Sequence, residues 1–165
     1  MIERDNLKWR DFMANRVEPK LIKPLFETLQ KESLITLATI DYETTGPNIH
    51  AISWVYAPSE EKLLFAVDNR SRIIKNIENN EMVVVTIMAN ESVYSITGRM
   101  KVQQDIITGL PLKLALLSLT IGEVRDVMFY GSRISQVPKY EKTYDVQAAT
   151  KLDNQVMDSL KKCTR

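Results

Sequence analysis

The chain has 165 residues, 44% of them hydrophobic and 26% charged, with a formal net charge of +1. This is an ordinary globular composition, long enough to bury a sizeable core without staples. Lys and Arg are spread along the chain, so no electrostatic footprint for nucleic acid is present, and the single cysteine, Cys163, excludes an intramolecular disulfide.

Residues 5–17 hold Leu7, Trp9, Phe12, Met13 and Val17 among charges, the weak helical signal of an arm that packs on the body or on a partner. The opening MIERDNLKWRDF has no apolar core, so a signal peptide is not expected. No apolar run is long enough for a membrane span. The expected location is the cytoplasm, with no membrane partner. A helix is predicted over 19–31, where Leu21, Ile22, Leu25, Phe26 and Leu29 share one face. Pro24 places its regular part near that residue, with the proline in the first turn.

From Leu34 the period changes. LITLATID (34–41) fits a strand, Glu43 to Pro47 a turn, and NIHAISWVYA (48–57) a second strand with His50, Ile52, Trp54 and Tyr56 on one face. Leu63–Val67 is a third, buried strand. It leads through Asp68-Asn69-Arg70-Ser71-Arg72 into a helix carrying Ile73, Ile74 and Ile77 on one face. Strands follow at 82–89 and 92–104, the second interrupted by Gly98, which suggests a bulge or sharp bend. The short connections imply antiparallel neighbours. Gly109-Leu110-Pro111 opens an apolar stretch read as a helix over 111–121 and ended by Gly122. A sixth strand is expected at 124–130, and a last amphipathic helix at 145–162 presents Val146, Ala149, Leu152, Val156 and Leu160. The fold class is mainly β: an antiparallel barrel with flanking helices, one domain over residues 1–165 with its core at about 20–130.

Acid–base and nucleophilic chemistry are not advertised. His50 is the only histidine, zinc-ligand spacing is absent, and five scattered glycines form no phosphate loop. If the protein is an enzyme, a cofactor supplies the reactivity. The turn at 68–72 is the one candidate site. Asp68, Asn69 and Ser71 are N-cap residues, and a helix N-terminus beside Arg70 and Arg72 suits a phosphate. An ordinary strand-to-helix corner with solvated arginines is the plain alternative.

The order of elements resembles the flavin-binding split-barrel family related to pyridoxamine 5′-phosphate oxidase, over about residues 20–105. The family's phosphate motif, Phe-Tyr-Thr-Asn-Tyr-x-Ser-Arg-Lys followed by Gly-x-x-Leu, falls without a gap on Phe65, Ser71-Arg72 and Ile77; the Asn of its following Asn-Pro falls on Asn80. The resemblance implies a six-stranded antiparallel split barrel of Greek-key type, acting as a homodimer with FMN in grooves at its interface. Its ring would face the strand His50, Ala51, Ile52, Ser53 and Trp54, with Trp54 flanking the ring or serving core or interface instead. Ser71 and Arg72 would hold the phosphate, with Val67 and Asn69 on the same corner.

The departures are specific. Val67 and Ile73 stand where the family has Thr and Lys, and the strand preceding the motif lacks the oxidase's Arg and Lys. The oxidase's C-terminal Arg-x-His cannot be present, so oxidation of pyridoxamine phosphate is not expected. The resemblance implies an FMN-binding, flavin-dependent oxidoreductase whose substrate and electron donor the sequence does not name. A non-catalytic module for a flavin or other ring ligand, and a ligand-free structural barrel, remain open.

Overall fold

The computed structural model describes residues 16–163. Most of the expected N-terminal arm lies outside them; its last two residues are Arg16 and Val17, and Val17–Glu18 form a short strand β1. The elements that follow are α1 (Lys23–Thr28), β2 (Ile35–Ile40), β3 (Pro47–Ile52), β4 (Val55–Ser59), β5 (Lys62–Asp68), α2 (Arg72–Asn79), β6 (Met82–Ala89), β7 (Ser92–Gln104), β8 (Leu114–Asp126) and α3 (Val146–Lys162).

The strands form one antiparallel sheet in the order β3-β2-β6-β7-β8-β5-β4, with β1 paired to β8. The two ends of that path, β3 and β4, are joined in the chain by Ser53 and Trp54 alone. The sheet therefore curls until its ends meet through the backbone, without a ladder between them. The predicted strand 48–57 is thus two strands at opposite ends of the path.

The concave face holds the main core: Leu37, Val55, Leu63, Phe65, Val85, Ile96, Leu117 and Leu119 are fully buried. α1 closes one end with Leu25 and Leu29, its Pro24 in the first turn as the sequence predicts. A second cluster lies on the convex side of β5 and β8, where Leu64, Ala66, Leu114 and Leu116 meet Val156, Met157 and Leu160 of α3. β5 is buried on both faces, which is why its sequence is a continuous apolar run rather than an alternation.

The same double burial corrects the reading of 111–121. Residues 114–121 are the first part of β8, with Ala115, Leu117, Leu119 and Ile121 in the barrel and Leu114 and Leu116 under α3. A short apolar run covered on both sides carries no period that separates strand from helix. Gly122 ends no helix. It is the extra residue of a bulge, since Thr97 pairs with Glu123 and Gly98 with Ile121. The expected sixth strand at 124–130 stops at Asp126, and Phe129 and Tyr130 are exposed. Among the described residues there are eight strands rather than six.

Candidate functional site

The corner between β5 and α2 is built from its own backbone. Asp68 Oδ1 accepts from Arg70 N at 2.8 Å, and Ser71 N donates to the Asp68 carbonyl at 2.9 Å. Ser71 caps α2, its Oγ accepting from Ile73 N at 3.3 Å. Asn69 N donates to the Lys113 carbonyl at 3.0 Å, tying the turn to the segment that enters β8. Arg70 folds back on Asp68, with Nε to Oδ1 at 3.4 Å.

Arg72 does not stand open beside this turn. Its Nε donates to Asp41 Oδ2 at 2.5 Å, and its Nη2 donates to Asp41 Oδ1 at 3.0 Å and to Glu43 Oε2 at 2.6 Å. The guanidinium carbon also lies 4.7 Å from the centre of the Tyr42 ring. Asp41 Oδ1 accepts in addition from Glu43 N, Thr44 N and Thr44 Oγ1, at 3.0, 2.9 and 3.2 Å. The Arg72 hydrogen bond, backed by the Thr44 N–H, holds the Asp41 carboxyl well below the usual range. Arg72, then the Tyr42 hydroxyl, pulls Glu43 down as well, and the two carboxylates push the guanidinium up.

Asn76 fixes the spacing of this cluster. It is fully buried; its Oδ1 accepts from Tyr42 N at 3.0 Å, and its Nδ2 donates to Thr39 Oγ1 at 2.9 Å and Asn48 Oδ1 at 3.4 Å. One side chain thus joins α2 to β2 and β3. Asn48 and His50 lie on the same face of β3, two residues apart, so α2 links the two halves of the expected site.

The expected residues divide into three groups. Val67, Asn69, Ser71 and Arg72 meet at the corner, but the Val67 side chain points into the barrel core. On β3, His50 and Ile52 are half-buried while Ala51 is exposed on the outer face; the Ser53 carbonyl accepts from Ser33 N at 3.2 Å. Trp54 is drawn elsewhere: its indole Nε1 donates to Asp153 Oδ1 at 2.8 Å, and the ring packs on the cluster under α3. Among the described residues, two buried side-chain atoms have no hydrogen-bond partner, His50 Nδ1 and Asn69 Oδ1. Both belong to the expected set, one in each half.

Asp41, Tyr42, Glu43 and Asn76 are the members that sequence reasoning missed. A signal existed for the first: an Asp closing LITLATID ahead of a Thr-Thr-Gly turn is placed to cap that turn with its side chain. No local signal pairs it with an arginine 31 residues later. A separate groove of about 810 Å³ opens between α1, the edges of β2 and β6 and residues 137–140; none of the expected site residues line it. Among the described residues no cluster of His, Cys, Asp and Glu is placed to hold a metal, and no helix is long and apolar enough to cross a membrane.

No family model and no curated protein matches the sequence. Solved structures match the fold. A Lactobacillus delbrueckii protein carrying a provisional pyridoxamine 5′-phosphate oxidase designation superposes with a TM-score of 0.58 at 16% identity, over 68% of this chain and 98% of its own. The chain has the split-barrel fold of the pyridoxamine 5′-phosphate oxidase-like proteins. HupZ of Group A Streptococcus matches at 0.54 and 11% identity, over 70% of this chain and 99% of its own. An F420 reductase matches at 0.51 and 16%, over 59% and 93%. The motif named in the sequence resemblance falls on the β5–α2 turn, and Arg72 is the first residue of α2.

Proposed function

We propose that this split barrel binds a flavin and works as a flavin-dependent oxidoreductase, as a cytoplasmic homodimer. The observation that carries the reading is the pair of buried, unpartnered polar atoms, His50 Nδ1 and Asn69 Oδ1. An orphaned buried group costs about 1–3 kcal/mol unless something bonds it, and these two fall on the strand and the turn that the resemblance sets against a ligand. The fold is shared with an F420 reductase, which supports a redox role. The outer face of β3, β2 and β6 supports a partner copy: Ile49, Ala51, Thr36, Ala38, Val84, Thr86 and Met88 lie side by side there without a charge.

FMN is the flavin that the resemblance implies. The residues that would hold it are His50, Ala51, Ile52 and Ser53 on the ring side, with Asn69, Ser71 and Arg72 at the phosphate end. Trp54 and Val67, of the same expected set, turn to α3 and to the core instead. A bound flavin supplies the hydride-accepting chemistry, and the chain supplies position and electrostatics. The fit is unequal: the ring side offers the unsatisfied His50 Nδ1, while the cation at the phosphate end already has two carboxylates.

Titrating flavin with the purified protein, following quenching of its fluorescence, and then adding reduced nicotinamide without oxygen tests the proposal. Saturable binding followed by bleaching is expected. Binding without reduction leaves a ring-ligand module, and no binding at all leaves a structural barrel.

A further inference from the structure

We infer that the β5–α2 corner selects a flavin without its phosphate, riboflavin rather than FMN. The inference rests on the flavin reading above and departs from it at one end of the ligand.

A phosphate is read by an arginine fork that presents two parallel donors. In this chain Asp41 already takes that position, with both of its oxygens on Arg72. The carboxylate is not a loose side chain that a ligand can brush aside. Three further donors from Glu43 and Thr44 hold Asp41, and Asn76 pins the adjoining Tyr42 N–H. Glu43 adds a second carboxylate to the same guanidinium, and the Tyr42 ring covers it. A phosphate dianion reaching Arg72 would meet two like charges before it met the cation.

The other groups at the corner do not restore the grip. Arg70 is bonded within its own turn to Asp68. The Lys75 ammonium lies over the Tyr42 ring at 5.3 Å, an exposed point charge without a fork. Val67 and Ile73, at the family's Thr and Lys positions, are buried in the barrel core and their side chains have no donor to offer. Independently, Asn69 presents a carbonyl oxygen without a partner. As oriented, that atom accepts, so it complements a ribityl hydroxyl, including the 5′ hydroxyl that riboflavin has in place of the phosphate. The cation is neutralised from within, which disfavours a phosphate, and the unsatisfied acceptor is compatible with the terminal hydroxyl that replaces it in riboflavin.

The test is the ratio of the dissociation constants of FMN and riboflavin, measured by fluorescence quenching at one ionic strength. Measurements use the native protein and the Asp41→Asn/Glu43→Gln double variant. Asn keeps the turn-capping oxygen, and circular dichroism checks the variant's fold. In the native protein riboflavin is expected to bind at least as tightly as FMN. In the variant FMN should tighten about tenfold, a change of about 1.4 kcal/mol, with riboflavin unchanged. FMN binding about tenfold tighter than riboflavin in the native protein overturns the inference, and that result does not depend on the variant folding. A folded variant with unchanged FMN affinity overturns it as well. Binding of neither flavin ends the flavin reading with it, whereas a preference for FMN ends this inference alone.

Discussion

Arg72, the first residue of α2, grips Asp41, the residue that follows β2, through Nε to Oδ2 at 2.5 Å and Nη2 to Oδ1 at 3.0 Å. The contact spans 31 positions in sequence and ties the helix that starts the candidate site to the turn between β2 and β3. The same guanidinium is the cation that family resemblance assigns to a ligand. Arg72→Ala is therefore expected to lower stability even without any ligand, read as a lower urea midpoint. A midpoint equal to that of the native protein would mean that the clamp contributes nothing to the fold.

The pH dependence of that loss has a fixed sign. Arg72 holds Asp41 and Glu43 below the ordinary carboxylate range. A carboxylate with a depressed folded-state pKa contributes stability above its unfolded value of about 4 and loses it as pH falls through the folded value. The gap in urea midpoint between native protein and Arg72→Ala should be full at pH 7 and shrink as pH falls below about 5. A gap that stayed constant down to about pH 2 would show that the loss is packing, not charge.

Asn76→Ala removes a fully buried side chain that bonds Tyr42 N, Thr39 and Asn48 together. Leaving such groups unpaired costs about 1–3 kcal/mol. Equilibrium denaturation should report that loss, with hydrogen exchange at the Tyr42 amide accelerating more than in the β6–β7 hairpin. Uniform acceleration would deny Asn76 its local pinning role.

Gly98→Ala addresses the barrel wall. A Cβ at Gly98 would stand 2.2 Å from the Thr120 carbonyl oxygen and 2.9 Å from a Leu119 methyl. Backbone must move to admit it, and overpacking of this kind costs about 1–3 kcal/mol or more. A thermal midpoint within error of the native value would contradict the close approach of β7 and β8.

Trp54→Phe keeps an aromatic ring but removes the donor to Asp153. Asp153 retains Lys142 at 2.8 Å, and Lys142 in turn reaches Glu32 at 2.9 Å. The expected loss is that of one hydrogen bond, about 1 kcal/mol, with α3 more open to proteolysis. Flavin affinity is expected to hold, since the indole edge serves α3. A selective loss of flavin affinity would return Trp54 to the site.

What the sequence disclosed follows a physical line. α1, α2, α3, β6 and β7 were legible because each buries one face and so carries its period in the residues; Ser71 as the cap of α2 was legible for the same local reason. β8 was not, because Leu114–Ile121 is covered by the barrel on one side and α3 on the other. The break at Ser53-Trp54 was hidden inside a run with good strand composition, since separating β3 from β4 depends on where the sheet closes. At the site, the Ser71-Arg72 pair was readable as a motif. Its neutralisation by Asp41 and Glu43 was not, because an ion pair between distant segments leaves no mark on either one.

The most direct measurement is the map of backbone amide shifts when riboflavin is titrated into isotopically labelled protein. The account predicts saturable changes concentrated at His50 to Ser53 and at Asn69 to Arg72. Changes confined instead to the groove at Thr36, Thr86, Met88 and Tyr140, or no saturable change anywhere, would contradict it.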